Sequence, residues 1–212
     1  MNETASSIAD TDRDVERRPI LGQEEGHAAV LRRTYDVPIE RLWEVLTSPA
    51  ELETWFLPVS GDLRAGGTFQ FEGNAGGDIL ECEEPRLVRA TWVYGDNPAN
   101  EIVLRLSPEG DNRTALELEH AAPVDEDGAP EFVLGVGAGW DPALVGLDMY
   151  LRGELPEDKE AFAMSPEVMD MVRSSVGAWT EVLKERGVGS PDVVDKKAEE
   201  SLAFYTGESP GG

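Results

Sequence analysis

Apolar positions along this chain change period at the turn residues, and each change marks an element. His27–Tyr35 reads as a first strand. Pro38 follows and suits the first turn of a helix, because it gives up an N–H that would be unpaired anyway. Leu42, Val45 and Leu46 then repeat at helical spacing, with Trp43 beside them, and predict a helix over Pro38–Leu46. Ser48 can cap and Pro49 can open a second short helix, Pro49–Phe56.

A meander of strands is predicted next, over Thr68–Gly73, Gly77–Glu83, Leu87–Tyr94, Glu101–Ser107 and Thr114–His120. Phe69 and Phe71 share one face by period two, as do Leu116, Leu118 and His120. Clusters of Gly, Pro, Asn and Asp separate the strands. Pro123–Pro130 reads as an acidic loop. Gly139–Leu151 reads as a long helix, because Trp140, Leu144, Leu147 and Leu151 fall on one face, opposite Asp141 and Asp148. Glu131–Gly137 reads as a helical turn or a loop, and the glycines at 135, 137 and 139 suggest a hinge.

Two more helices are predicted near the C-terminus. One starts at Ser165-Pro166-Glu167, carries Val168, Met171, Val172, Val176, Trp179 and Leu183 as a stripe, and stops at Gly187. The other starts at Ser190-Pro191-Asp192 and carries Val194, Ala198, Leu202 and Tyr205. These faces need cover, either from the rest of the chain near a cavity mouth or from a second copy across a two-fold axis. Packing within the chain is the expectation, with a homodimer as the alternative. Residues 1–26 are acidic and polar without sustained period and read as a mobile tail, and Gly207–Gly212 reads as a loose end. The expected division is thus a tail (1–26), a main domain (27–155) and a helical extension (156–212).

Composition narrows the function. With 43 acidic against 18 basic residues, the net charge of -25 disfavours nucleic acid and anionic membranes as partners. No apolar run approaches the roughly 18 residues of a membrane span. A signal peptide pattern is missing, so a cytoplasmic location is expected. The single cysteine, Cys82, excludes an intrachain disulfide and a thiolate metal cluster, and its strand position predicts a small buried residue.

Catalytic motifs are sparse. The two histidines, His27 and His120, stand in no nucleophile or zinc motif. The acids Asp78, Glu81, Glu83 and Glu84, and the alternating Glu117 and Glu119, read as solvated strand faces. Gly66-Gly67 lacks the lysine of a phosphate loop, and Asp125-Glu126-Asp127-Gly128 lacks the spacing and distal glutamate of a calcium loop. No catalytic residue, metal or cofactor is therefore assigned.

The Pro38–Trp55 segment, the Ala65-Gly66-Gly67-Thr68-Phe69 turn into a strand, and Gly139-Trp140 with Leu144 and Leu147 together resemble the START-like superfamily. The resemblance runs from about Ala28 to Leu155. Within that superfamily the chain is most similar to bacterial homologues of the activator of the heat shock protein 90 ATPase. The resemblance implies an α+β helix-grip fold, a curved antiparallel sheet around a long helix, with a cavity between them. Its expected wall comprises Trp55, Phe56, Phe69, Phe71, Leu80, Trp92, Leu104, Leu118, Trp140, Leu144 and Leu147, with His120 as the polar candidate. The implied function is binding of a small apolar molecule without catalysis. A module that partners a chaperone ATPase and a cyclase- or hydrolase-type enzyme are the alternatives.

Overall fold

A computed structural model describes residues 8–207. Eight antiparallel strands form one sheet: β1 (Asp12–Arg17), β2 (His27–Tyr35), β3 (Val59–Gly61), β4 (Thr68–Phe71), β5 (Gly76–Glu83), β6 (Leu87–Trp92), β7 (Asn100–Pro108) and β8 (Thr114–Ala122). Their spatial order is β1-β2-β8-β7-β6-β5-β4-β3. The helices bounded within the described residues are α1 (Ile39–Thr47), α2 (Pro49–Trp55), α3 (Ala129–Arg152), α4 (Lys159–Ala163), α5 (Pro166–Arg186) and α6 (Pro191–Thr206). The sheet curls around α3, and this α+β arrangement is the helix-grip fold. Among the described residues no helix is long and apolar enough to cross a membrane.

The local rules hold in most elements. Pro38 takes the N-cap of α1 and Pro49 opens α2, although the Ser48 hydroxyl makes no capping bond. Ser165 accepts from the Val168 N–H at the start of α5, and Gly187 ends that helix at a φ of 68°.

The mobile-tail expectation is corrected from Ile8 onward; Met1–Ser7 lie outside the described residues. Ile8 is buried with Val145 and Met171. β1 pairs with β2 along its full length, from Asp12 opposite Arg32 to Arg17 opposite His27. Only Val15 of this strand enters the core. Its charged residues find partners far away in sequence: Arg13 on Asp141, and Asp14 on Arg186. Ile20, in the connection to β2, packs on Ala28, Val30 and Ala121 on the outer sheet face. That connection also brings Arg18 over Glu101 and Glu119. Glu119 faces outward as expected but is buried beneath Arg18 and Arg105 rather than solvated.

A second correction concerns α3, which runs unbroken for 24 residues through the expected hinge and through Pro142. The glycines serve packing here. A Cβ at Gly137 would lie 2.3 Å from the Trp179 ring nitrogen, and one at Gly139 would lie 3.0 Å from the Tyr205 hydroxyl. They let α5 and α6 approach the long helix closely. The two C-terminal helices thus pack within the chain. Val172, Val176, Trp179 and Leu183 of α5, with Val194 of α6, join the main core.

Asp141 is the hub of this seam. It points away from the cavity, as expected, yet is 0% exposed because α5 covers it. Arg13 donates to both of its oxygens, at 2.7 and 3.0 Å. The Ser175 hydroxyl donates at 2.5 Å and the Trp179 indole at 3.1 Å. A buried carboxylate needs this many donors to offset lost hydration.

The third correction is a β-bulge in β5, where the register shifts between Ile79 and Glu81. The extra residue changes which positions face inward. Ile79 turns to the core, whereas Leu80 is 40% exposed. Cys82, expected to be buried, is exposed. Partial desolvation, with the nearby Glu84 charge, raises the Cys82 thiol pKa.

Candidate functional site

Between the sheet and α3 lies a cavity of about 140 Å³. Trp55 and Phe56 close it from the end of α2; Phe69 and Phe71 come from β4, Trp92 from β6, and Leu104 and Leu118 from β7 and β8. Trp140 and Leu144 supply the helix side. The period-two faces of β4 and β8 and the helical stripe of α3 therefore converge. Leu147 is fully buried in the core but does not line this space, and Leu80 is turned away by the bulge.

Sequence reasoning missed Leu46, Leu52, Ile79, Val88, Ala90 and Ile102 as further wall residues. Leu46 and Leu52 were detectable from the apolar faces of α1 and α2. Ile79 was not, because the bulge leaves no mark in the alternation. The lining is mostly carbon, interrupted by the Thr47 hydroxyl and by the free thiol of Cys82, whose raised pKa disfavours the thiolate. The Thr47 hydroxyl is spent on the Trp43 carbonyl at 2.7 Å, and the Trp55 indole donates to the Val45 carbonyl at 2.9 Å.

A second, larger space of about 900 Å³ opens on the other side of Phe56, Trp92 and Trp140, which line both. Phe56 and Trp140 stack at 6.1 Å with planes 19° apart, and Trp92 leans on Trp140 at 5.5 Å. These three rings form the partition between the two spaces.

His120 belongs to this outer groove and not to the inner cavity. It is 4% exposed, and burial pushes its pKa down to about 3. The Trp140 indole N–H donates to His120 Nδ1 at 2.9 Å. An indole nitrogen can only donate, so Nδ1 is bare and the ring proton sits on Nε2. The Asn100 amide lies 3.2 Å from Nε2. Asn100 Nδ2 is the atom placed there, but a protonated Nε2 requires an acceptor, so the amide is assigned in the reversed orientation, oxygen toward the ring, which leaves its NH₂ unspent. Both imidazole nitrogens are thereby occupied in a neutral ring.

The fold and this cavity can be placed among known proteins. The sequence model of the family described as activator of Hsp90 ATPase homolog 1-like protein matches residues 36–152, more than half of the chain. The chain belongs to this family. Among solved structures, the crystal structure of CalU16 from Micromonospora echinospora is 39% identical with a TM-score of 0.70, covering 82% of this chain and 98% of that one. Its solution structure gives 40% identity and a TM-score of 0.70, covering 82% and 96%. The likeness to CalU16 thus extends beyond the residues of the family match. DynU16, from the dynemicin biosynthetic locus, shares the fold at 18% identity and a TM-score of 0.51, covering 61% of this chain and 48% of that one. No curated protein matches. The START-like character expected of Pro38–Trp55 and of the Trp140 helix is therefore that of an activator-homologue family member.

Proposed function

We propose that this member of the activator-homologue family binds a small apolar molecule in the cavity between sheet and α3, as a carrier or sensor and not as a catalyst. The observation that carries this reading is the mostly carbon lining of the inner cavity. Its volume is close to that of an engineered apolar cavity of about 150 Å³ that stays dry and binds benzene. A ligand of one ring fits without rearrangement. Catalysis would call for polar groups converging on the ligand. The nearest histidine, His120, instead has both nitrogens engaged and stands beyond the aromatic partition.

The test is saturable binding of benzene to the purified protein, followed by calorimetry. Leu118→Trp should abolish it by filling the cavity, with the circular dichroism spectrum unchanged. Ala90→Leu is a milder filler should the tryptophan perturb folding. Binding that survives both fillers in folded protein would refute the assignment.

A further inference from the structure

The outer groove is a site in its own right. One of its walls is built by α6 through Lys197, Ser201, Phe204 and Tyr205, all beyond the residues of the family match. That helix is held in place by the Tyr205 hydroxyl on the Gly135 carbonyl at 2.7 Å and the Ser201 hydroxyl on the Leu134 carbonyl at 3.3 Å. Among the described residues the two exposed large aromatics are Tyr94, at 56%, and Phe204, at 80%, and both line this groove. Exposed rings that border one concave space, with Phe132 and Trp140 also in its lining, offer planar stacking surfaces. The volume falls in the range of small-molecule sites, about 300–1,000 Å³.

The polar groups define the chemistry of the occupant. Asn97 makes no side-chain hydrogen bond to the described residues, and the Asn74 NH₂ makes none either. The histidine tautomer leaves the Asn100 NH₂ unspent as well. Three amides thus have donors available, which suit neutral oxygen acceptors. The charged rim excludes an anion. Lys197 is already bound by Glu131 and Glu200 at 2.6 and 2.8 Å, leaving one net negative charge in a strongly acidic protein.

We propose that this groove is a second binding site, for a neutral, planar, multi-ring aromatic molecule that carries carbonyl or ether oxygens. Such a molecule is too large for the inner cavity, so this site stands or falls separately from the inner-cavity reading.

The probe is xanthone, a flat three-ring molecule with carbonyl and ether oxygens; anthracene is its oxygen-free counterpart. Xanthone should bind the full-length protein saturably at one site, and anthracene more weakly. Phe204→Ser should weaken xanthone binding about two- to tenfold through lost stacking. Asn97→Ala should also weaken it. Both positions are exposed, so folding is spared. Leu118→Trp, which fills the inner cavity, should leave xanthone binding unchanged. The proposal is overturned if xanthone does not saturate, if anthracene binds equally well, if neither groove variant has an effect, or if Leu118→Trp abolishes binding.

Discussion

Placing a methyl group at Gly137 tests whether α5 is seated on α3 as described. A Cβ there would stand 2.3 Å from Trp179 Nε1 and 2.5 Å from Cε2. Those atoms belong to a rigid ring that is 0% exposed, so the ring or the whole of α5 must shift. Overpacking of this kind costs about 1–3 kcal/mol. Moving the indole also breaks its bond to the buried Asp141 carboxylate, for roughly 1.5–3 kcal/mol more. Alanine in place of a helical glycine returns about 1 kcal/mol. The expected net loss is therefore about 1.5–5 kcal/mol. Gly146 of the same helix supplies the control, since a Cβ there would meet no atom within 4 Å beyond its chain neighbours and the helix's own backbone. Gly146→Ala should stabilise by about 0.5–1 kcal/mol. Urea unfolding midpoints, read by far-ultraviolet circular dichroism, compare the two. If Gly137→Ala unfolds at or above the wild-type midpoint, the close seam between α3 and α5 is wrong.

Two other outcomes follow from the same geometry. Asp141→Ala should destabilise by about 3–5 kcal/mol, because it leaves the buried Arg13 guanidinium unpaired; a urea midpoint costing under about 1 kcal/mol would mean that Arg13 finds water. His120, with a folded pKa below its unfolded value of 6.5, binds a proton in the unfolded chain first. Its stabilisation is intact above pH 6.5 and is lost as pH falls toward the folded value. Between pH 6.5 and 5, above the ordinary carboxylate range, the protein should lose on the order of 1 kcal/mol per pH unit through this group. His120→Gln should remove that slope, and an unchanged slope would show that the imidazole is not held neutral.

The elements legible in the sequence were those governed by local rules. Pro49 at the start of α2, Ser165 and Gly187 bounding α5, and the alternation of Phe69 and Phe71 each act over a few residues. What was missed depends on distant partners. β1 carries one buried apolar residue among charges, so it has no period to notice, and its charges make sense only against Asp141 and Arg186. The burial of Asp141 could not be read from its place opposite the apolar stripe, because its donors lie 34, 38 and 128 positions away. The hinge reading of α3 took the glycines for freedom, whereas Gly137 and Gly139 are contact points for other helices. In the site, the aromatic wall was legible from strand and helix faces. Leu80 was misplaced by a bulge, and the outer groove was invisible because α6 closes it from the far end of the chain.

The pairing of β1 with β2 has a consequence for how copies of this protein behave in concentrated solution. β2 is apolar at Ala28, Ala29, Val30 and Leu31, all 0% exposed. Were it the outermost strand, its open backbone would be a template for pairing between molecules. β1 occupies that rim instead, with the sequence Asp-Arg-Asp-Val-Glu-Arg. Its dense charges discourage another strand from adding to it. Arg186 of α5 reaches back to Asp14 and holds this guard strand in place. The charged start of the chain therefore acts as an insulator against edge-to-edge association.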